Sequence, residues 1–411
     1  MKNRLISNFL SLSTLQLFTY VLPIVTLPYL VKVLGVDKYG LVMFAQSLMV
    51  FFILFVDYGF DLSATKNISI YRENSQKVTE IFSSVIIIKV ILLIISLLLM
   101  TILLFSVDKF NKEIWIYYFS FLWVIGQSLF PIWYFQGIER MKYITIVNVI
   151  SKIIFTIFIF IFIKEENDYL LYPIFNGVGA LLGTLLAFFL LKRDFNQSLS
   201  MQTYTTLWTT FKDSTPFFLS RVSVSLFTSI NVFILGLVSN NIIVGYYSIA
   251  EKLYQAIQRL YSPVVQVLYP YIAKEKNLIL LRKVLFILIP LNIIGVIILF
   301  IWNKWLFSLL FSEQVTQDSI TVFNILLIAI LVTLPSSLIG YPVLGALGFS
   351  NYVNKSIIYA SILHILGLGC LFILKEITPF NVAFMVVITE SFIFLSRVFY
   401  IRRTKVWLGK L

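Results

Sequence analysis

Six ionisable side chains stand inside long apolar runs of this chain: Lys89, Lys152, Glu251, Lys252, Arg259 and Glu390. Four more, Asp57, Asp61, Arg221 and Arg397, lie nearer the ends of such runs. Charges at that depth must face partners or water. Cations so placed hold phosphate or another anion, Arg through its two-pronged fork and Lys as a point charge. The densest pattern is Lys252, Gln255, Arg259, Ser262 and Gln266, spaced i, i+3, i+7, i+10 and i+14. That spacing makes one polar stripe on a helix whose remaining surface is Leu253, Ile257, Leu260, Val264 and Leu268. Arg221, Ser225 and Thr228 fall at i, i+4 and i+7, and Gln46, Asp57 and Asp61 add polar positions upstream.

A stripe of this kind lines a water-accessible cavity or a polar helix contact. A cationic cavity selects an anionic cargo, at its simplest a phosphate attached to something membrane-embedded or sugar-like. The plainer alternative is that Glu251, Lys252 and Arg259 pair to lock helices together, although Glu251 and Lys252 are adjacent and point to different faces. Cys370 and His364 each occur once, which excludes a disulfide within the chain and metal sites built from Cys and His. His364 is expected to be a packed or pore-facing polar residue. No phosphate loop, nucleophile elbow or paired zinc-binding histidines occur, so nothing points to bond-making chemistry and no cofactor is expected.

The elements that carry these residues follow from composition. Of 411 residues, 59% are apolar and only 12% charged, at a mean hydropathy of +0.94. Ordinary globular domains are about 25% charged, so a soluble protein is excluded. A bilayer core about 30 Å thick takes roughly 20 apolar residues per helix. The apolar runs place spans at 9–31, 41–62, 81–105, 114–136, 144–163, 169–191, 215–238, 242–272, 284–302, 320–345, 355–374 and 379–400. The fold expected is therefore all-α and polytopic, with about twelve transmembrane helices. The longest connection follows Lys192-Arg193-Asp194 and divides the chain into six-helix bundles at 1–200 and 201–411.

The halves resemble one another. Leu34-Gly35 through Tyr39-Gly40 matches Leu237-Val238 through Gly245-Tyr246-Tyr247, and Phe135-Gln136-Gly137 matches Val343-Leu344-Gly345. Six spans per half is an even number, so the repeats run the same way about a pseudo-twofold axis along the membrane normal. A central cavity between the halves, lined mainly by the first, second, seventh and eighth spans, would gather the polar residues. With the N-terminus in the cytoplasm, nineteen of the 32 Lys and Arg fall on inside segments and seven outside, which makes both termini cytoplasmic. Most of the net charge of +13 is thus topology, not a nucleic-acid surface. Lys2 and Arg4 precede an apolar stretch without an Ala-x-Ala-like site, read as a retained first span. Trp133-Tyr134-Phe135 and Tyr246-Tyr247 are read as aromatic belts at span ends. Arg221 and Arg397, one turn from their span ends, are placed to snorkel, and Pro23, Pro28, Pro335 and Pro342 are read as bends.

Several motifs resemble one family. Pro28-Tyr29-Leu30-Val31-Lys32-Val33-Leu34-Gly35, continuing to Tyr39-Gly40, is similar to the first outside loop of Wzx-type polysaccharide flippases of the multidrug/oligosaccharidyl-lipid/polysaccharide exporter superfamily. Trp133 to Arg140, Thr215 to Ser220 and Gly245 to Lys252 also resemble that family, while the ninth span onward carries little signal. The resemblance implies two six-helix bundles forming a V, as in MATE transporters. It implies movement of an undecaprenyl-diphosphate-linked oligosaccharide repeat unit across the bacterial cytoplasmic membrane by alternating access, for O-antigen, capsule or exopolysaccharide assembly. Arg259, Lys252 and Arg221 would hold the diphosphate with Lys89 or Lys152 assisting, and Gln255, Ser262, Gln266, Ser225 and Gln46 would line the cavity. Asp57, Asp61, Glu251 and Glu390 would couple to an ion gradient. Implied partners are the lipid-linked oligosaccharide, membrane lipid, and the polymerase and chain-length proteins of the pathway. The alternatives are a drug or metabolite exporter of the same superfamily and a membrane polymerase or ligase.

Overall fold

A computed structural model describes the backbone of residues 2–275, 279–311 and 317–404. Side chains are described from residue 22 onward within those ranges, apart from residues 220, 223, 224, 226–228, 267, 279 and 404. Every regular element among them is a helix: α1 (Lys2–Asp57), α2 (Phe60–Tyr71), α3 (Ser75–Ser106), α4 (Asp108–Asn111), α5 (Ile114–Leu129), α6 (Ile132–Gly137), α7 (Met141–Phe162) and, after a 3₁₀ turn at Glu166–Leu170, α8 (Leu171–Phe195). The second half supplies α9 (Tyr204–Val238), α10 (Asn241–Arg259), α11 (Ser262–Glu275), α12 (Ile279–Ile301), α13 (Asn303–Phe311), α14 (Gln317–Ile339), a π turn at Gly340–Gly345, α15 (Ser350–Ile373) and α16 (Pro379–Thr404). Nine helical stretches of the described residues are long and apolar enough to cross a membrane.

The first of the nine, Leu22–Tyr71, covers two of the expected spans. As one straight helix, the 56 residues of α1 would run about 84 Å at about 1.5 Å per residue, far beyond a bilayer core. Gly35, at φ 70° and ψ 167°, breaks α1 into two helical segments, a backbone that glycine adopts without a Cβ penalty. The expected seventh and eighth spans fall on α9 and on α10 with α11. The eighth is not the continuous 242–272 helix that the sequence suggests. The amides of Leu260 and Tyr261 turn back to the carbonyls of Ile257 and Gln258, at 3.1 Å each, and a new helix starts at Ser262 with Pro263, which cannot donate a backbone bond.

The chain forms two compact units, one of Met1–Thr26 and Val33–Ser225, the other of Leu27–Lys32 and Leu226–Leu411. In unit 1, α5 packs tightly on α8. A Cβ at Gly126 would lie 2.6 Å from the Ala180 carbonyl carbon, and Thr184 Oγ1 donates to the Gly126 carbonyl at 2.6 Å, the close backbone approach that membrane helices use. The Trp133 to Arg140 segment is core. Trp133, Tyr134 and Phe135 are 0%, 3% and 0% exposed, and Thr65 Oγ1, which donates to the Asp61 carbonyl at 2.6 Å, lies 3.3 Å from both the Trp133 carbonyl oxygen and Gln136 Oε1. The aromatic-belt reading of these residues is therefore wrong, and Tyr247, also 0% exposed, corrects it in unit 2.

The Thr215 to Phe218 segment of α9 has an equally structural part. Tyr58 takes φ 41° between α1 and α2, and its ring lies between Phe211 and Phe218 at centroid distances of 4.1 and 4.5 Å. Its neighbour Gly59, at φ 76°, could carry no side chain, since a Cβ would sit 2.6 Å from the Phe218 amide nitrogen. Ser63 and Ser214 hydroxyls share a bond of 2.7 Å alongside.

In unit 2, Leu268 and Ile272 of α11, Leu281 and Leu285 of α12, Leu334 and Leu338 of α14, Val343 of the π turn, Val353 of α15 and Ile401 of α16 form one apolar cluster. Arg397 of α16 does not snorkel. It is 6% exposed, Nη1 donating to the Ser336 carbonyl at 2.8 Å and Nε to Ser356 Oγ at 3.3 Å, so that one guanidinium ties α14, α15 and α16.

Candidate functional site

Each unit gathers ionisable groups at the depth of its membrane-spanning helices, by different means. In unit 1, Lys89 of α3 is 1% exposed, and its Nζ lies 2.9 Å from Asp57 Oδ1 and 2.8 Å from the Ser128 carbonyl oxygen. One turn on, Asp61 Oδ2 lies 3.4 Å from Arg221 Nη2, with about half of the Arg221 side chain exposed. The break at Tyr58–Gly59 sets the two carboxylates near one another, and Asp61, Lys89 and Arg221 all act on Asp57. Two expected anion-binding cations thus contact two expected ion-coupling acids, and the quartet has no net charge. Lys89 is a buried structural ion, not a cavity-facing one.

Lys152 is elsewhere. At the middle of α7, it lines a cavity of about 270 Å³ between α5, α7 and α8, bordered by Pro23 and Thr26 of α1. Gln127, Asn148, Ser151, Thr156 and Asn176 supply polar walls, and Trp123 and Tyr172 rings. The lining contains no Asp or Glu.

In unit 2, a cavity of about 330 Å³ is lined by α10, the α9 residues Ser229 and Asn231, Leu326 of α14, and Val386 and Glu390 of α16. The face of α10 that enters it is Tyr247, Glu251, Tyr254, Gln255, Gln258 and Arg259. The expected stripe is therefore only partly the cavity face, which is widened toward Glu251, Tyr254 and Gln258 on one side. Gln255 and Arg259 remain on the wall and Glu251 joins them, whereas Lys252 is exposed and does not line the cavity. Ser262 and Gln266 lie beyond the break, on α11, where Gln266 Nε2 donates to Ser262 Oγ at 3.0 Å. Gln46 and Ser225, both half-buried, line neither of these two cavities.

The carboxylates of this second cavity are 8% and 9% exposed. Asn231 and Tyr247 lie against Glu251, and Tyr254, Gln258 and Thr333 against Glu390, with Arg397 also acting on it. Gln258 Nε2 donates to Tyr254 Oη at 2.5 Å. His364, 0% exposed, closes the back of this network. Thr389 Oγ1 donates to the Met385 carbonyl at 2.7 Å and so accepts from His364 Nδ1 at 2.8 Å, while His364 Nε2 meets the Asn231 amide at 2.9 Å. Asn231, Tyr247, Tyr254 and Gln258 were missed in the sequence. Tyr247, Tyr254 and Gln258 share the helical spacing of Glu251, which the sequence displays, whereas Asn231 comes from α9 and no spacing within α10 points to it.

Comparison with known proteins agrees with this architecture. A solved structure described as "Lipid II flippase MurJ, inward closed conformation" superposes with a TM-score of 0.72 at 18% identity, covering 95% of this chain and 87% of that one. An inward-facing multidrug resistance MATE family transporter of the MOP superfamily superposes at 0.70 and 13% identity, covering 95% and 97%. The chain is thus an all-α, multi-pass membrane protein with the fold of these proteins. By sequence it is 29% identical over 282 residues to a protein of Escherichia coli (strain K12) named "Putative O-antigen transporter", covering 67% of this chain and 68% of that one. A Shigella dysenteriae protein of the same name is 27% identical, over 65% and 67%. A family model described as polysaccharide biosynthesis protein matches residues 5–276, and the chain belongs to that family.

Proposed function

We propose that this protein moves a lipid-linked oligosaccharide, an undecaprenyl-diphosphate-linked repeat unit, across the bacterial cytoplasmic membrane by alternating access, without making or breaking bonds. The observation that carries this reading is the family match, which spans both the Lys89–Asp57 pair and the α10 cavity face. Unit 2 supports a coupled mechanism. Glu251 and Glu390 are carboxylates in a membrane-depth cavity, where an exchangeable cation can be held and released. Arg259 on the same wall is the cation we assign to the diphosphate, and Arg221 of unit 1 is a separate candidate for cargo binding. The two bundles, 1–200 and 201–411 in the repeat reading, are the bodies that rock. Both termini are cytoplasmic in this proposal, and the polymerase and chain-length proteins of surface-polysaccharide assembly are the partners on the outer face.

A second reading, export of a cationic drug or metabolite, has the same two carboxylates in its favour. One experiment separates them. Purified protein in proteoliposomes is given a fluorescent undecaprenyl-diphosphate glycolipid in one leaflet, and ethidium in parallel vesicles. Leaflet transfer of the glycolipid, abolished by Arg259→Ala with the protein still folded in the membrane, is the expected result. Ethidium efflux without glycolipid transfer overturns it.

A further inference from the structure

We infer that a polar cleft at one end of unit 1 binds a neutral sugar ring of the cargo before the cargo enters the membrane. The inference rests on the transport reading above and names the class of sugar that the cargo presents. The cleft, of about 460 Å³, lies between the last turns of α2, the first turns of α3 and the first turns of α9. Its walls stand at the ends of the apolar runs 41–62, 81–105 and 215–238, on the side that the proposed topology makes cytoplasmic. That volume falls within the ~300–1,000 Å³ common for ligand sites, room for a ring and not for a whole repeat unit.

Lining chemistry is the first argument. Thr209 Oγ1 donates to the Thr205 carbonyl and Thr210 Oγ1 to the Thr206 carbonyl, each at 2.9 Å. With their protons given to α9 itself, both hydroxyls keep lone pairs to accept with. Asp213, one turn further on, brings a carboxylate, which only accepts, and Asn67 of α2 brings an amide. A wall rich in acceptors matches the hydroxyls of a sugar, which donate. It does not match a diphosphate, whose ionised oxygens only accept. Tyr71 adds an exposed ring on which the C–H face of a sugar can pack.

Charge is the second. Lys77 Nζ lies 2.6 Å from Glu80 Oε1, so one carboxylate matches the cation of the lining and Asp213 leaves the wall acidic by one charge. That balance disfavours a phosphate or a sugar acid. Among the described residues no group of three His, Cys, Asp or Glu side chains stands ready to hold a metal ion. A ligand with many hydroxyls and no charge meets both constraints. Place is the third. Arg221 follows Asp213 by eight residues on α9, about 12 Å along a helix that rises about 1.5 Å per residue. A ring seated in the cleft is therefore within reach of a diphosphate held at Arg221.

The test uses the full chain in lipid nanodiscs, titrated with the methyl glycosides of glucose, galactose and mannose, with glucuronate and with pyrophosphate, and read by saturation-transfer NMR. Saturable binding of at least one methyl glycoside is expected, weakened at least tenfold by Asp213→Ala. Glucuronate should bind more weakly than that glycoside. Thr209→Val, at an exposed position of α9, is a second variant should Asp213→Ala fail to fold, and should weaken the same glycoside severalfold. Glycoside binding that is absent, or indifferent to both variants, overturns the proposal. Glucuronate or pyrophosphate that binds more tightly than every glycoside, and is lost in Lys77→Gln, makes this an anion site and overturns it as well. Glycolipid transfer by the unmodified protein without glycoside binding overturns the cleft alone. Glycoside binding without transfer overturns the transport reading instead.

Discussion

Unit 1 and unit 2 treat intramembrane charge in opposite ways. Unit 1 sets Lys89 against Asp57 and Arg221 against Asp61, and places Lys152 on the wall of a separate cavity. Unit 2 turns two carboxylates, Glu251 and Glu390, into a cavity alongside Arg259 and uses a buried guanidinium, Arg397, to tie helices together. An ion pair inside a membrane protein satisfies its members locally and fixes helix positions. A carboxylate turned into a cavity keeps its proton or cation exchangeable. On the proposed function, the difference puts helix-fixing charge chiefly in one unit's pairs and exchangeable charge in the cavities, and it can be broken by mutation.

The largest effect is expected at Asp57. Asp57→Asn leaves the Lys89 ammonium 1% exposed with the Ser128 carbonyl as its remaining close partner. Removing one member of a buried pair costs about 3–5 kcal/mol, so thermal unfolding in detergent should fall by several degrees. Adding Lys89→Met to Asp57→Asn should recover most of the loss, because two neutral groups of similar volume leave no buried charge. An Asp57→Asn protein as stable as the parent would show that Lys89 is not held structurally, and would return it to the cargo-binding set.

Glu251→Gln and Glu390→Gln should behave in the contrasting way. Each exchanges a buried carboxylate for an isosteric amide among partners that can donate or accept: Asn231 and Tyr247 for one, Gln258 and Thr333 for the other. Stability should be unchanged or slightly higher for Glu251→Gln, whereas Glu390→Gln, which removes the carboxylate acting on the buried Arg397, should lower it by less than Asp57→Asn because the Arg397 guanidinium keeps its bonds to Ser336 and Ser356. Transport in proteoliposomes should lose its response to an imposed proton or sodium gradient. Unfolding like that of Asp57→Asn, or a gradient response equal to the parent's, would erase the distinction between the units.

What was legible in the sequence was mostly what one helix carries. Mean hydropathy and run length placed the helices, and the residues that interrupt the runs were the right ones to examine. Lys152, Glu251, Gln255, Arg259 and Glu390 all line cavities. Partnerships were not legible, because Lys89 meets Asp57 and Arg221 meets Asp61 across separations of 32 and 160 residues. The stripe from Lys252 to Gln266 misled for a local reason. Its period is correct, but Pro263 starts a new helix, and the face turned inward is fixed by packing on α14 and α16, which no single-helix period encodes. Trp133 to Phe135 misled in the same way. Aromatic residues at a span end are interfacial only if nothing covers them, and here α2 and α3 do.

Arg221 is the residue on which the two descriptions of unit 1 meet, and its effect should be the smallest on stability. Its contact with Asp61 is long, at 3.4 Å, and 48% of the side chain is exposed. Pairs of that kind are worth about 0–1 kcal/mol, against several for Lys89. Arg221→Ala should therefore shift the unfolding midpoint little, and Asp61→Asn should shift it equally little. Their effects on transport should part. If Asp61 merely holds Arg221 in place between cargoes, Arg221→Ala lowers the glycolipid transfer rate while Asp61→Asn, which leaves the guanidinium less restrained, preserves or raises it. If the pair is structural like Lys89–Asp57, the two single variants and the double variant transport alike. A double-mutant cycle on transfer rates, with membrane abundance measured alongside, decides between a cargo-binding arginine and a second structural pair.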